Sequence, residues 1–318
     1  MAIFKKTAAI FLRISISIIL LIFLFKQVEG KAVFGIIKNA DKLLLSLSFF
    51  LTFFIYLLCF FRWKMLLDTV GVNSPLGRLI SAFAGGIFFN LFLPSTIGGD
   101  FVRSADLSTQ TKKTKEVVAT VILDRLSGFI GLAAVALLAL FWGRKLIQDK
   151  IIIQSIFAVT AVLISILLVL FNKAVYSKIN RLLYSPDSGK IRAAIESIHQ
   201  EMHNLRNHKR VVLRNLFLSF IVQAISPLSV YIISLSLGLK LNIAYFFIFL
   251  PIVGVVTLLP VSLGGLGLRD AATIYFFAKA GIGKDLSFAM SLLSFFFIAV
   301  YAVIAGIIYV STLHFRRV

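Results

Sequence analysis

The sequence predicts an all-α polytopic membrane protein. It has about six full transmembrane helices and two re-entrant Pro/Gly hairpins of opposite orientation, all in one integral membrane domain over residues 1–318. Three observations predict this. Hydrophobic residues make up 59% of the chain and charged residues 14%, whereas soluble domains run to roughly half and a quarter. Several apolar runs reach the ~20 residues that a helix needs to cross about 30 Å of hydrocarbon, and none alternates as a β-barrel strand would. Finally, residues 93–103 (LPSTIGGDFVR) and 259–269 (LPVSLGGLGLR) share one skeleton at a constant offset of 166 residues. Pro94, Gly98, Gly99 and Arg103 in the first match Pro260, Gly264, Gly265 and Arg269 in the second.

Taken in order, apolar runs fall at about 8–25, 43–61, 79–97, 117–141, 151–171, 211–237, 243–259 and 286–312, with a weaker one at 270–280. Lys5 and Lys6 precede the first run as in a signal peptide, but no small-residue cleavage site follows, so an uncleaved first helix is expected. The long polar stretch 172–210 carries eight basic residues and three acidic ones. Within it Ile191, Ile195, Ile198, Met202 and Leu205 recur at helical spacing, which predicts an amphipathic helix lying on the bilayer or the bundle.

Charge decides how the runs are threaded. If every apolar run crossed from a cytoplasmic N-terminus, the basic 172–210 loop would lie outside, against the positive-inside tendency. A hairpin at 79–97 entering from the cytoplasm, and a second over 243–280 entering from outside, return that loop, Lys112, Lys113, Lys115, Arg316 and Arg317 to the cytoplasm. Pro94 and Pro260 break the helix, and the paired glycines permit a turn and close backbone approach. Broken backbone at membrane depth is tolerated where it is buried in protein or lines a polar cavity. Transporters use paired broken helices of opposite topology for this purpose.

The net charge of +20 reads as loop topology and contact with anionic lipid headgroups, not as nucleic-acid binding. The lone cysteine, Cys59, excludes a disulfide framework or cysteine metal site. His199 and His203 sit in HQEMH, with the glutamate misplaced for a zinc-protease motif, and GGLGLRD lacks the context of a dinucleotide fingerprint. No metal or cofactor is expected.

Asp100, Arg103 and Asp106 surround the first turn, Arg269 and Asp270 the second, and Asp124 and Arg125 lie about two turns inside the 117–141 run. Charges inside membrane segments face the interior, pair with one another and usually mark a pathway. Adjacent helical residues do not face each other, so Asp124 is expected to pair with Arg103, and Arg125 with Asp100. The set either binds a ligand or pins the hairpins to their neighbours. Asn90, one turn before Pro94, and Ser95 either satisfy freed backbone groups or contact a ligand. Gly85, Gly86, Gly128 and Gly131 would permit close helix approach, and Gln223 with Pro227 suggests a further polar lining.

Three motifs, FNLFLPSTIGGDFVRSADL, VVATVILDRLSGFIGL and LLPVSLGGLGLRDAA, resemble in their order those of the lysylphosphatidylglycerol synthase transmembrane, or flippase-like, family. The resemblance covers residues from about 10 to 312. It implies the handling of a lipid or lipid-linked substrate, with Arg103, Arg125 and Arg269 holding a phosphate in forked geometry. Founding members carry a cytosolic synthase domain. Val318 follows the last apolar run by six residues, so the aminoacyl transfer is not carried over. Asp270 stands where the family is expected more often to have Glu. The leading expectation is a lipid flippase or lipid-binding transporter of a prokaryotic plasma membrane, with anionic membrane lipids as partners and no catalytic residues. The alternatives are a membrane partner of a separate lipid-modifying enzyme, or an enzyme acting on headgroups with Asp100 or Asp124 as base.

Overall fold

The computed structural model describes residues 24, 28–93, 98–146, 149–171, 200, 207–259, 261–262 and 264–315. All regular structure among them is helical: α1 Gly30–Lys38, α2 Lys42–Thr69, α3 Leu76–Phe92, α4 Gly98–Thr111, α5 Thr114–Gly143, α6 Lys150–Phe171, α7 Lys209–Ser236, α8 Ile243–Val256, α9 Leu268–Ala278 and α10 Lys284–Phe315. Five of these, α2, α5, α6, α7 and α10, are long and apolar enough to span a membrane. The expected first span, apart from Leu24, and the expected amphipathic helix in 172–210 lie outside the described residues, as do Pro94, Ser95 and Pro260.

The remaining helices are too short to cross. At 1.5 Å per residue, α3 extends only about 26 Å and α9 only about 17 Å, against about 30 Å of hydrocarbon. α4, GGDFVRSADLSTQT, is also too polar to face lipid. These helices pair as hairpins, α3 on α4 and α8 on α9.

Hydrogen bonds between connections show that the hairpins enter from opposite ends of the bundle. At one end, Lys113 Nζ, just past α4, donates to the Gly71 carbonyl ahead of α3 at 2.7 Å. At the other end, the start of α8 is tied down by Tyr245 Oη, which donates to the Leu146 carbonyl at 3.4 Å. Lys279, just past α9, pairs there with Asp149, and the Asp41 amide donates to the Ser236 carbonyl at 2.9 Å. The 28-residue α2 joins the two ends. The tips meet inside, where a Cβ placed on Gly264 would lie 3.0 Å from the Leu91 carbonyl oxygen.

The repeat is larger than its two Pro/Gly motifs. Helices α2–α5 recur in order as α7–α10, and α2 and α7 have the same length, 28 residues. α2 packs on its counterpart α7; α3 packs along α10, and its counterpart α8 packs along α5. Each hairpin is thus clasped by the other repeat's long helix. The small residues at these crossings allow it: a Cβ on Gly143 of α5 would come within 2.9 Å of the Ile248 side chain of α8, and one on Gly85 of α3 within 2.8 Å of the Tyr309 ring of α10.

The glycine pairs serve the two tips differently. Gly264 and Gly265 hold φ of +55° and +79°, a region that side chains with a Cβ rarely enter. Gly98 and Gly99 begin α4 instead, and their role is close approach. A Cβ on Gly99 would stand 2.0 Å from the Gly86 carbonyl oxygen and 2.6 Å from Asn90. Asn90 Oδ1 accepts the Gly99 N–H at 2.8 Å, satisfying one of the amide donors that an α-helix leaves free in its first turn.

Candidate functional site

The charged residues of the first repeat converge. Asp100 and Arg103 lie one turn apart on α4, so both face α5, where Asp124 points back. Arg103 Nη2 donates to Asp124 Oδ2 at 3.0 Å and lies 2.9 Å from Asp100 Oδ1. Arg125 Nε donates to Asp100 Oδ2. The cross-helix pairs expected for Asp124 and Arg125 are therefore both formed. Arg62, on α2, closes the chain: its Nε donates to Asp124 Oδ1 at 2.6 Å and its Nη1 to Ser219 Oγ at 2.9 Å. The result is an alternating row, Arg62, Asp124, Arg103, Asp100, Arg125.

Arg62, Arg103, Asp100 and Asp124 are buried, whereas the Arg125 side chain keeps 31% of its exposure. The Arg103 guanidinium lies 4.8 Å from the Trp63 ring centroid and 5.8 Å from that of Phe83, a cation–π setting that holds its plane. Both of its ion pairs use Nη2, and its buried Nε has no hydrogen-bond partner among the described residues.

All five charged side chains line one cavity of about 350 Å³, walled also by α3, α7 and α8. Asn90 and Gln223 add amides, Tyr56 a phenol, and Gly86, Gly128 and Gly254 leave room. Gln223 Nε2 donates to the Gly128 carbonyl at 3.3 Å, tying α7 to α5. Among the described residues, three arginines against two aspartates leave the walls with one surplus positive charge. The cavity thus offers fixed donors and walls of net positive charge, counted over the described residues, inside a helical bundle.

Arg269 and Asp270 are placed elsewhere. Arg269 Nη2 lies 3.0 Å from Asp270 Oδ1, its Nε donates to Ser291 Oγ at 3.3 Å, and its guanidinium sits 4.8 Å from the Phe295 ring. Asp270 also accepts from Ser291 Oγ at 2.5 Å and from the Gly267 amide at 3.0 Å. This group braces the second hairpin against α10. Neither residue walls the cavity, so the structure does not bring Arg269 to the same point as Arg103 and Arg125. At the 166-residue offset, Asp100, Asp124 and Arg125 correspond to Leu266, Met290 and Ser291. Arg62 corresponds to Leu228, so of the five charges in the row only Arg103 has a charged counterpart.

Arg62 escapes the sequence reading because the apolar run stops at Phe61. The helix continues to Thr69, helped by Lys64 and Asp68 pairing at 2.6 Å across one turn. The usable signal was spacing: Arg62 shares a face with buried Leu66, whereas Lys64 faces outward.

Fold and site together define a polytopic integral membrane protein, built from two repeats whose hairpin tips meet beside a buried ionic cavity. The chain belongs to the family described as the lysylphosphatidylglycerol synthase TM region, whose profile matches residues 10–306. Two proteins of Methanothermobacter thermautotrophicus, each named UPF0104 membrane protein, are similar to it. One is 26% identical over 300 residues, covering 85% of this chain and 86% of the relative. The other is 26% identical over 281 residues, covering 80% and 79%. The family groups this chain with a membrane domain of lipid-related function.

Proposed function

We propose that the protein is a lipid flippase or lipid-binding transporter that carries an anionic phospholipid between leaflets without altering it. The observation behind this reading is the charge of the cavity: three arginines and two aspartates wall it. A phosphodiester headgroup brings one negative charge and neutralises that surplus. A diphosphate-linked carrier would bring more charge than the walls balance. Arg125, whose side chain is 31% exposed, is the arginine of the row most open to an incoming phosphate, and Arg103, stacked on Trp63, is buried. Their planar guanidinium groups suit forked contact with phosphate oxygens. The meeting hairpin tips, clasped by opposite repeats, supply two elements that can open alternately at the two ends. The plasma membrane of a prokaryote is the proposed location, in keeping with archaeal relatives.

The test is reconstitution into vesicles with a phosphatidylglycerol fluorescently labelled on its acyl chain, using a membrane-impermeant quencher to count lipids reaching the outer leaflet. The wild type should expose the inner pool, and Arg125→Gln should slow this at least about tenfold, the loss of roughly one strong contact. The lipid should be recovered chemically unchanged. Rates equal to protein-free vesicles would defeat the reading.

A further inference from the structure

Beside the ionic cavity lies a second hollow of about 330 Å³, between α2, α3 and α10. Its walls are almost wholly apolar, and three residues, Tyr56, Phe83 and Ile87, belong to both hollows. Ala84 and Ala305, buried at 4% and 6% exposure, leave a recess that larger side chains would fill. Ile304, 44% exposed, stands at the rim, so the recess opens to the surroundings of the bundle. The polar atom best placed to spoil it is taken up elsewhere: the Tyr301 hydroxyl donates to the Phe49 carbonyl at 2.9 Å.

We infer that this recess is the berth of an acyl chain belonging to the same bilayer phospholipid whose phosphate enters the ionic cavity; the inference rests on the function proposed above. An ionic site large enough for a headgroup leaves the chains of its lipid to be housed. A lipid cannot drag them through a charged cavity without the cost of exposing hydrocarbon to polar walls. The shared wall gives a direct passage from charge to hydrocarbon, so a phosphate on one side of Tyr56 and Phe83 has its chain continue on the other. Among the described residues another apolar hollow also touches the ionic cavity, at Leu132, but its volume of about 10 Å³ is too small for a chain. The lipid therefore stays tethered to the hydrocarbon during transfer, as its head moves between helices and its chain slides along α2 and α10.

The test uses the purified full chain and phosphatidylglycerol with a photoactivatable diazirine in one acyl chain. Crosslinks mapped by mass spectrometry should cluster on α2, α3 and α10 around Ala84 and Ile304. Filling the recess with Ile304→Trp at the rim, or Ala305→Phe at the floor, should weaken competition by dioleoyl-phosphatidylglycerol at least about tenfold. Competition by the dihexanoyl lipid, with the same headgroup and chains too short to fill the recess, should stay within about twofold. Ile304→Trp replaces an exposed side chain, so it keeps the test valid if Ala305→Phe fails to fold. Crosslinks spread evenly around the bundle, or dioleoyl competition unchanged in a folded Ile304→Trp, would overturn the berth. Arg125→Gln separates the two ideas: it should weaken both lipids alike, and no effect on either would overturn the headgroup reading instead.

Discussion

Arg103 of α4 and Asp124 of α5 form an ion pair at 3.0 Å in which each is also held by another partner, Arg103 by Asp100 and Asp124 by Arg62. The site is therefore a network, and removing one member leaves its neighbours unequally stranded.

Asp124 is the member shared by two arginines. Asp124→Ala leaves Arg62 without a carboxylate and Arg103 with Asp100 alone, and is expected to cost at least the ~3–5 kcal/mol of a broken buried pair. Arg103→Ala leaves Asp124 its bond from Arg62 and should cost less. The double variant should recover only part of the loss, because Arg62 stays unpaired. Thermal unfolding of the four proteins in detergent gives the coupling energy, and independent effects would mean the pair carries no joint stability.

The glycines separate crowding from conformation. Gly99→Val would drive a side chain into the Gly86 carbonyl, and Gly264→Val would force a β-branched residue to a φ of +55°. Both should abolish a monodisperse protein peak. Gly35→Val in α1, where a Cβ would meet nothing within 4 Å, should leave it intact. Gly143, past the end of its apolar run and a loop position by sequence, is the last residue of α5 and abuts Ile248, so it should be intermediate. Equal behaviour of all four would make the tips ordinary loops.

The threading predicts opposite accessibility for two exposed connections. In a Cys59→Ala background, Asn73→Cys should be labelled by an impermeant reagent only from the cytoplasm, and Lys240→Cys only from outside. Labelling of both from one side would refute the hairpin topology.

At the end of the bundle that holds the α5–α6 connection, the hydrogen bond from Lys279 lowers the carboxyl pKa of Asp149, and the Asp149 carboxylate in turn raises the Lys279 ammonium. A lowered carboxyl pKa stabilises the fold above the ordinary carboxylate range and is lost as pH falls through the folded value. Stability should thus decline on acidification below about pH 4 more in the wild type than in Asp149→Asn. The pair is exposed, so at neutral pH Asp149→Asn should shift the unfolding temperature by no more than about 2 °C, and less in high salt. Identical acid profiles would show that the tie contributes nothing.

The amino-acid sequence alone determined the class, most of the spans and the two hairpins, because these depend on local quantities. Run length against bilayer thickness, helix-breaking Pro/Gly skeletons and the distribution of Lys and Arg are all legible without knowing which helix touches which. The pairing of Arg103 with Asp124 and of Arg125 with Asp100 was also legible, since buried charges must be compensated and few candidates existed. The polar α4 was not, because its amphipathic buried face suits a protein interior and gives no apolar run. Only the tertiary structure decided that Arg62 completes the network while Arg269 does not. Both are arginines near the end of an apolar segment, and their difference lies in what packs opposite them: Asp124 faces Arg62, whereas Ser291 and Phe295 meet Arg269. That is a matter of helix crossing across residues far apart in the chain, set by where small side chains let helices approach, and no local property of either arginine contains it.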